Sequence, residues 1–216
     1  MTKVVGFGSG GHAKVVLEIL RNNPEYLFPA LLDSNAEVWG KNLGGVPILG
    51  GDDLLDKLRA EGIHHAFIGV GSVGNSARRQ KLYELALSHG FQVVSAIHPQ
   101  AVISTSARIG AGVAIMAGAI INADAQIGDN VIINTGAIVE HDCSVGNHAH
   151  IATGALLAGE VAVGEGSHVG IGASVKQGVR IGRNAIVGAG AVVIKDVPDH
   201  VIVAGVPARF LKAVTP

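Results

Sequence analysis

Residues 127–157 read IGDNVIINTGAIVEHDCSVGNHAHIATGALL, and every sixth position in them, Ile127, Ile133, Val139, Val145, Ile151 and Leu157, is aliphatic. The register runs on without an insertion to Ile103 on one side and Val193 on the other. Four residues after each aliphatic comes a second series, from Ala107 through Ala137, Cys143 and Ser167 to Val197, whose members are all small or β-branched. A period of six suits neither an α-helix, with about 3.6 residues per turn, nor the two-residue alternation of a sheet meander. It suits a chain that turns a corner after every short strand, with one large aliphatic side chain per side pointing inward. Three sides make a triangular coil, and stacked coils pair their strands at ~4.8 Å around one continuous core, here about five coils deep. Glycine or asparagine beside the aliphatic (Gly110, Gly128, Asn134, Gly146, Gly164, Gly182) is expected to absorb the turn dihedrals. Cys143, a member of the small series, is expected to be a buried, inert thiol.

Composition agrees with such a scaffold. Of 216 residues, 31 are glycine, 48% are hydrophobic and only 4% aromatic, which suits tight repeated turns around a core of small and β-branched side chains. Apolar content this high with a net charge of −1 excludes a disordered chain. Sixteen Lys+Arg against seventeen Asp+Glu, with no dense basic run, leave nucleic-acid binding without its electrostatic footprint. No apolar stretch reaches the ~18 residues of a membrane span, and the start of the chain lacks a signal-peptide pattern. A single cysteine excludes an intrachain disulfide and fits a reducing, cytoplasmic setting.

The first hundred residues have a different grammar. Lys3–Phe7 reads as a strand, Gly8-Ser9-Gly10-Gly11-His12 as a turn, and Ala13–Asn22 as a helix by its apolar spacing. Gly6, Gly8 and Gly11 fit G-x-G-x-x-G, and Asp33 follows the next apolar run, Pro29–Leu32. Further strands are expected at Ala66–Val70 and Phe91–Ile97, with helices near Asp52–Glu61 and Ala77–His89, so Gly71, Ser72 and His98 stand at strand ends. This is one mononucleotide-binding half of a Rossmann-like fold, in which backbone N–H groups and a helix N-terminus face a phosphate. The expected organisation is a small α/β domain over residues 1–98, then a β-helix over 99–216 with a short C-terminal tail.

Three features together, Gly-Ser-Gly-Gly-His-Ala at 8–13, the hexad repeat, and the ending Gly205-Val206-Pro207-Ala208-Arg209, span nearly the whole chain. They resemble the hexapeptide-repeat nucleotide-sugar N-acetyltransferases, relatives of the sialic acid O-acetyltransferases, and within them the perosamine N-acetyltransferases most. That resemblance implies a left-handed β-helix, a homotrimer, acetyl-CoA as co-substrate, and a place in bacterial glycan pathways such as O-antigen and lipopolysaccharide biosynthesis. It implies that His141, within Glu140-His141-Asp142, is the general base, with Asp142 as its partner and Asn134 close by. The offset of two from the inward Val139 independently puts His141 on the coil surface. By the same resemblance His150, Gly159, Gly170, Ile171, Gly188, Ala189, Pro207 and Arg209 border acetyl-CoA, with the Gly159 N–H aimed at the thioester oxygen. Gly8, Ser9, Gly10, Gly11 and His12 would surround the nucleotide's phosphates, with Asp33 facing base or ribose and Gly71 and Ser72 nearby. Asp33 is followed by Ser34, where relatives carry a second acid.

The expected reaction is acetylation of the 4-amino group of a nucleotide-linked 4-amino-4,6-dideoxyhexose, GDP-perosamine being favoured, by direct attack and without a metal. Acetylation of a sugar hydroxyl is the nearest alternative. A zinc lyase of the carbonic-anhydrase type, using histidines among His141, His148, His150 and His168, and an NAD-dependent oxidoreductase are alternatives from other classes.

Overall fold

The structure is a computed structural model that describes residues 1–214. Contacts divide the chain into a first unit of residues 1–71 and 78–96 and a second of residues 72–77 and 97 onward.

The first unit is a mostly parallel sheet flanked by helices. Its elements are β1 (Thr2–Phe7), α1 (Gly11–Leu20), β2 (Tyr26–Leu27), β3 (Leu31–Leu32), β4 (Asn42–Leu43), β5 (Val46–Gly50), α2 (Leu55–Ala60), β6 (His65–Ile68), α3 (Ala77–Ser88) and β7 (Gln92–Val93). The strand order is β4-β5-β3-β1-β6-β7, with β2 beside β1. The chain leaves β1 toward β3 and later returns to lay β6 on the other side of β1. The crevice at the ends of β1 and β6 is therefore the point where the strand order reverses, the usual place for a ligand in such sheets. Val5, Phe7, Ala66 and Ile68 of these strands pack with Leu55, Leu58, Tyr83 and Ala86 of the helices. Gly6 is glycine because a Cβ would run into the Phe67 ring and Leu31. The β4–β5 hairpin escapes a reading by periodicity, because β4 is only two residues long and half polar.

In the second unit the hexad becomes geometry. Partners in adjacent coils are 18 residues apart: Ile115 pairs with Ile133, Ile133 with Ile151, and Ile151 with Val169. The other two faces repeat this, as in Ile127 with Val145 and Val139 with Leu157. From Ile115 to Val193 the aliphatic series is buried in one core with the small series, Cys143 among them. The C-terminal part ends in an antiparallel hairpin, Val201–Ala204 with Arg209–Ala213, where the sequence reading has only a tail.

The corners correct the expected role of the glycines. The left-handed residues do not stand beside the aliphatic but two places further on, in three columns. One column is Gly118, Gly136, Gly154, Gly172 and Gly190; another runs Asp124, Asp142, Glu160 and Gly178; the third runs Gly112, Asn130, His148, Gly166 and Asn184. Gly128 and Gly146 are glycine for lack of space instead. A Cβ on Gly128 would lie 2.8 Å from the Asn147 nitrogen, and one on Gly146 2.7 Å from the Glu165 nitrogen. Gly110, Gly164 and Gly182 face the same obstacle from the next coil, while Asn134 makes a side-chain contact described below.

Candidate active site

His141 and Asp142 stand on the acidic column. Asp142 has φ +59°, and this left-handed turn brings its carboxylate back to its neighbour, so that Oδ2 lies 2.8 Å from His141 Nδ1. The ring is half exposed, at 50%. With Nδ1–H donating to Asp142, the Nε2 lone pair is left to accept a proton. The hydrogen bond that Nδ1–H donates to Asp142 raises the imidazole pKa above 6.5; desolvation opposes this, and the charges of Asp142, Glu140 and Glu160 add to it. Glu140 is held by Asn122, whose Nδ2 donates to it at 2.9 Å.

The His141 ring lies over Gly159 of the next coil. A Cβ at Gly159 would stand 2.6 Å from ring atoms Cε1 and Nε2. The backbone joins the same two coils, Glu160 N–H donating to the His141 carbonyl at 2.9 Å. Histidine and glycine are thus a matched pair: one needs the room the other leaves. Cys143, next to this site in sequence, points inward; burial pushes its thiol pKa up, and Sγ lies 3.1 Å from the Ala158 carbonyl. A buried thiol with a raised pKa is poorly suited to act as a nucleophile.

Asn134 and His150 form a separate group. Asn134 Nδ2 lies 3.1 Å from His150 Nε2, and His150 Nδ1 donates to the Ser72 carbonyl at 2.7 Å. A carbonyl can only accept, so the proton of that contact is on Nδ1. His150 is buried and meets His168 edge-on at 4.9 Å; burial lowers the His168 pKa. Ser72, read from sequence as part of the nucleotide domain, belongs by contacts to the second unit, with its side chain buried. On the later coils Gly170 obeys the close-approach rule, its Cβ falling 2.7 Å from the Ala189 nitrogen, and Gly188 abuts Ala204. Ile171 is exposed, at 62%, and Arg209 is exposed on the terminal hairpin two residues after Pro207.

In the first unit the glycine turn is tied shut from beneath. Asp33 Oδ2 accepts from the Ser9 N–H at 2.9 Å and from its hydroxyl at 2.6 Å, while Oδ1 accepts from Asn35 N–H. Burial alone would raise the Asp33 pKa; the Ser9 hydroxyl, the two N–H donors and the charge of Arg78 reverse that and hold it below its ordinary value. Gly10 caps α1 with no side-chain hydrogen bond, and Gly10 and Gly11 have open space where a Cβ would be. Gly8, at φ +100°, meets Val70 across the β1–β6 crevice, and His12 lies within 3.6 Å of where a Gly71 Cβ would stand. Beside this turn is a cavity of about 180 Å³ with Leu32, Leu82 and Leu85 on its apolar side and Asp52, Arg78 and Lys81 among its polar lining.

Comparison with known proteins gives this arrangement its context. Residues 3–86 match the PglD N-terminal domain, and residues 124–159 and 160–195 match the bacterial transferase hexapeptide repeat. The crystal structure of PerB from Caulobacter crescentus, in complex with CoA and GDP-perosamine, is 48% identical, with a TM-score of 0.90 over 98% of each chain. The chain belongs to the hexapeptide-repeat sugar N-acetyltransferase family. Structures of the H141N and H141A variants of the Caulobacter perosamine N-acetyltransferase, with the same two ligands, match equally at 48% identity. A second family member, the acetyltransferase domain of PglB from Neisseria gonorrhoeae, is 36% identical over 98% of this chain and 100% of its own, with a TM-score of 0.88. UDP-N-acetylbacillosamine N-acetyltransferase of Bacillus subtilis (strain 168) is 42% identical over 54% of this chain, about half (52%) of its own length.

Against this family background the four histidines offered to a zinc reading do not converge on one point: His141 pairs with Asp142, His148 contacts Asn130, and His150 contacts Ser72 and Asn134 with His168 edge-on against it. Among the described residues no group of three or more His, Cys, Asp or Glu is placed to hold a metal ion. Sequence reasoning noted Ser34 only as a departure from relatives and passed over Asp52, Arg78 and Lys81 as cavity residues; for the two cations the signal was there in Ala77-Arg78-Arg79-Gln80-Lys81, a basic i, i+3 face opening a helix.

Proposed function

We propose that this protein transfers the acetyl group of acetyl-CoA to the 4-amino group of a nucleotide-linked 4-amino-4,6-dideoxyhexose, with GDP-perosamine as the favoured acceptor. The observation that carries the reading is the His141–Asp142 pair seated on Gly159, in a chain 48% identical over its length to an enzyme crystallised with CoA and GDP-perosamine. The first unit holds the nucleotide at its glycine turn; the chemistry takes place at His141.

The amine nitrogen attacks the thioester carbonyl carbon, and His141 Nε2 takes the proton that the nitrogen must lose. Asp142 steadies the imidazolium that forms, as the acid does in a triad. The tetrahedral oxyanion is met by a backbone donor, the role assigned to Gly159 N–H, and such a preorganised donor is worth about 3 kcal/mol. Attack forms the C–N bond; collapse of the tetrahedral intermediate restores the C=O bond, breaks the C–S bond and releases CoA as a thiolate, which takes up the proton held by the His141 imidazolium. With Cys143 facing inward, transfer is direct. We further infer a homotrimer whose β-helices close around a threefold axis, consistent with Val102, Leu156, Ile171 and Ile194 standing exposed on a single chain.

The test is CoA release with GDP-perosamine as acceptor beside a matched sugar carrying a hydroxyl at C4. Turnover with the amine, and at least a hundredfold less with the hydroxyl, is expected. Equal or preferred use of the hydroxyl would make the enzyme an O-acetyltransferase.

A further inference from the structure

The first unit's cavity has a charge arrangement that the glycine turn does not explain. α3 presents two faces: Arg79, Tyr83 and Ala86 are buried, while Arg78, Lys81, Leu82 and Leu85, at helical spacing, line the cavity. The buried face fixes the helix in place. Arg79 Nη1 donates to the carbonyls of Ile68 at 2.9 Å and Val70 at 2.8 Å, on either side of Gly69 at the end of β6. Burial presses the Arg79 guanidinium down to about 9, so it stays charged at neutral pH and holds the strand end rigidly to the helix. The exposed face is thereby aimed at the crevice where Gly8 and Val70 meet.

Two carboxylates share the cavity with the two cations, and the charges of Asp33 and Arg78 act on each other. Asp33 already accepts two bonds from Ser9 and one from Asn35, so both its oxygens are committed to the turn. Asp52 also lines the cavity. Arg78 uses one Nη2–H on the Ser34 hydroxyl at 3.0 Å. A hydroxyl accepts that bond without neutralising the guanidinium, which has five N–H donors in all. A carboxylate at position 34 would pair with it instead.

We infer that Arg78 and Lys81 recognise the diphosphate of the nucleotide, and that serine at position 34 keeps Arg78 available for it. The pair shares its cavity with Gly8, at the start of the glycine turn, so a phosphate held by the turn's backbone N–H groups would also meet two cations. The apolar side of the cavity, Leu32, Leu82 and Leu85, suits the flat face of a base. The inference rests on the reading of the first unit as a nucleotide-sugar site and adds which side chains read its charge.

The experiment is calorimetric titration of the full-length protein with GDP, guanosine and acetyl-CoA, for the wild type, the double variant R78Q/K81Q and the single variant S34D. Removing one charge-assisted hydrogen bond to phosphate is expected to weaken binding by about tenfold. The double variant should therefore bind GDP at least thirtyfold more weakly, with guanosine and acetyl-CoA affinities within twofold of wild type. S34D should weaken GDP binding in the same direction, by about fivefold to tenfold. The substituted side chains are exposed, and an unchanged melting temperature without ligand confirms that they leave the fold alone. GDP affinity within twofold of wild type in R78Q/K81Q overturns the inference, as does an equal weakening for guanosine or a weakening confined to acetyl-CoA. If wild-type protein binds none of GDP, UDP, CMP or dTDP, it is the underlying nucleotide-sugar reading that fails; if it prefers another of these, that nucleotide and its nucleoside replace GDP and guanosine.

Discussion

A histidine on an exposed corner titrates near its ordinary value unless something holds its proton, and at His141 the Asp142 carboxylate does so from 2.8 Å. Because the folded pKa is raised, the imidazole is protonated and idle over a wider acid range. Activity should fall as pH drops through a value above 6.5. Asp142→Asn removes the leading cause of that shift. The acid limb of the kcat/KM profile is expected to move to lower pH while kcat falls at its plateau; an unmoved limb would detach Asp142 from the base. His141→Ala and His141→Asn should lower kcat by at least about a hundredfold with circular dichroism unchanged. Gly159 makes the sharper test, since its backbone φ is not in the left-handed region and alanine is conformationally admissible there. The added methyl would stand 2.6 Å from the ring, so Gly159→Ala is expected to swing His141 aside and cut kcat by tenfold or more at little cost in melting temperature.

Whole elements show why some of the fold was legible and some was not. The six-residue register named the core because each inward side chain is repeated 18 residues later in the next coil, so a single misplaced residue would break a column. His141 was legible as a surface residue for the same reason. The register could not say which physical need each glycine answers, and the expectation for Gly128 and Gly146 mistook a close approach of backbones for a bend. The contact of the His150 ring with the Ser72 carbonyl joins residues 78 apart in sequence, and no periodicity carries that information. Asp33 was found by its distance from the glycines, but its grip on Ser9 depends on side-chain direction. The two kinds of glycine predict opposite outcomes. Gly146→Ala drives a methyl into the next coil and should destabilise the protein by about 1–3 kcal/mol. Gly178→Asn occupies a left-handed corner with open space, in a column that already holds Asp124, Asp142 and Glu160, and should cost less than about 1 kcal/mol. Urea denaturation of the two variants decides it: equal destabilisation would mean that the corner columns do not distinguish bend from close approach.

At the scale of the molecule, a single prism of stacked coils buries its interior but leaves apolar side chains on its outside. Val102 and Ile171 are each 62% exposed, and Leu156 and Ile194 about two-fifths exposed. A surface of this kind is expected to be covered by copies of the same chain, and the proposed assembly is the closed ring of three that the family resemblance implies. Light scattering should therefore give a mass near three times the 22.0 kDa of one chain. Leu156→Asp places a charge in that proposed interface without touching the core, since the side chain is already 42% exposed and has no assigned contact with acetyl-CoA. The variant should retain its β-sheet circular dichroism yet shift toward the single-chain mass. If the residues expected to border acetyl-CoA work against a neighbouring β-helix, the variant's KM for acetyl-CoA should rise in step with dissociation. A folded, single-chain Leu156→Asp protein with the wild-type KM for acetyl-CoA would show that one helix suffices for the donor.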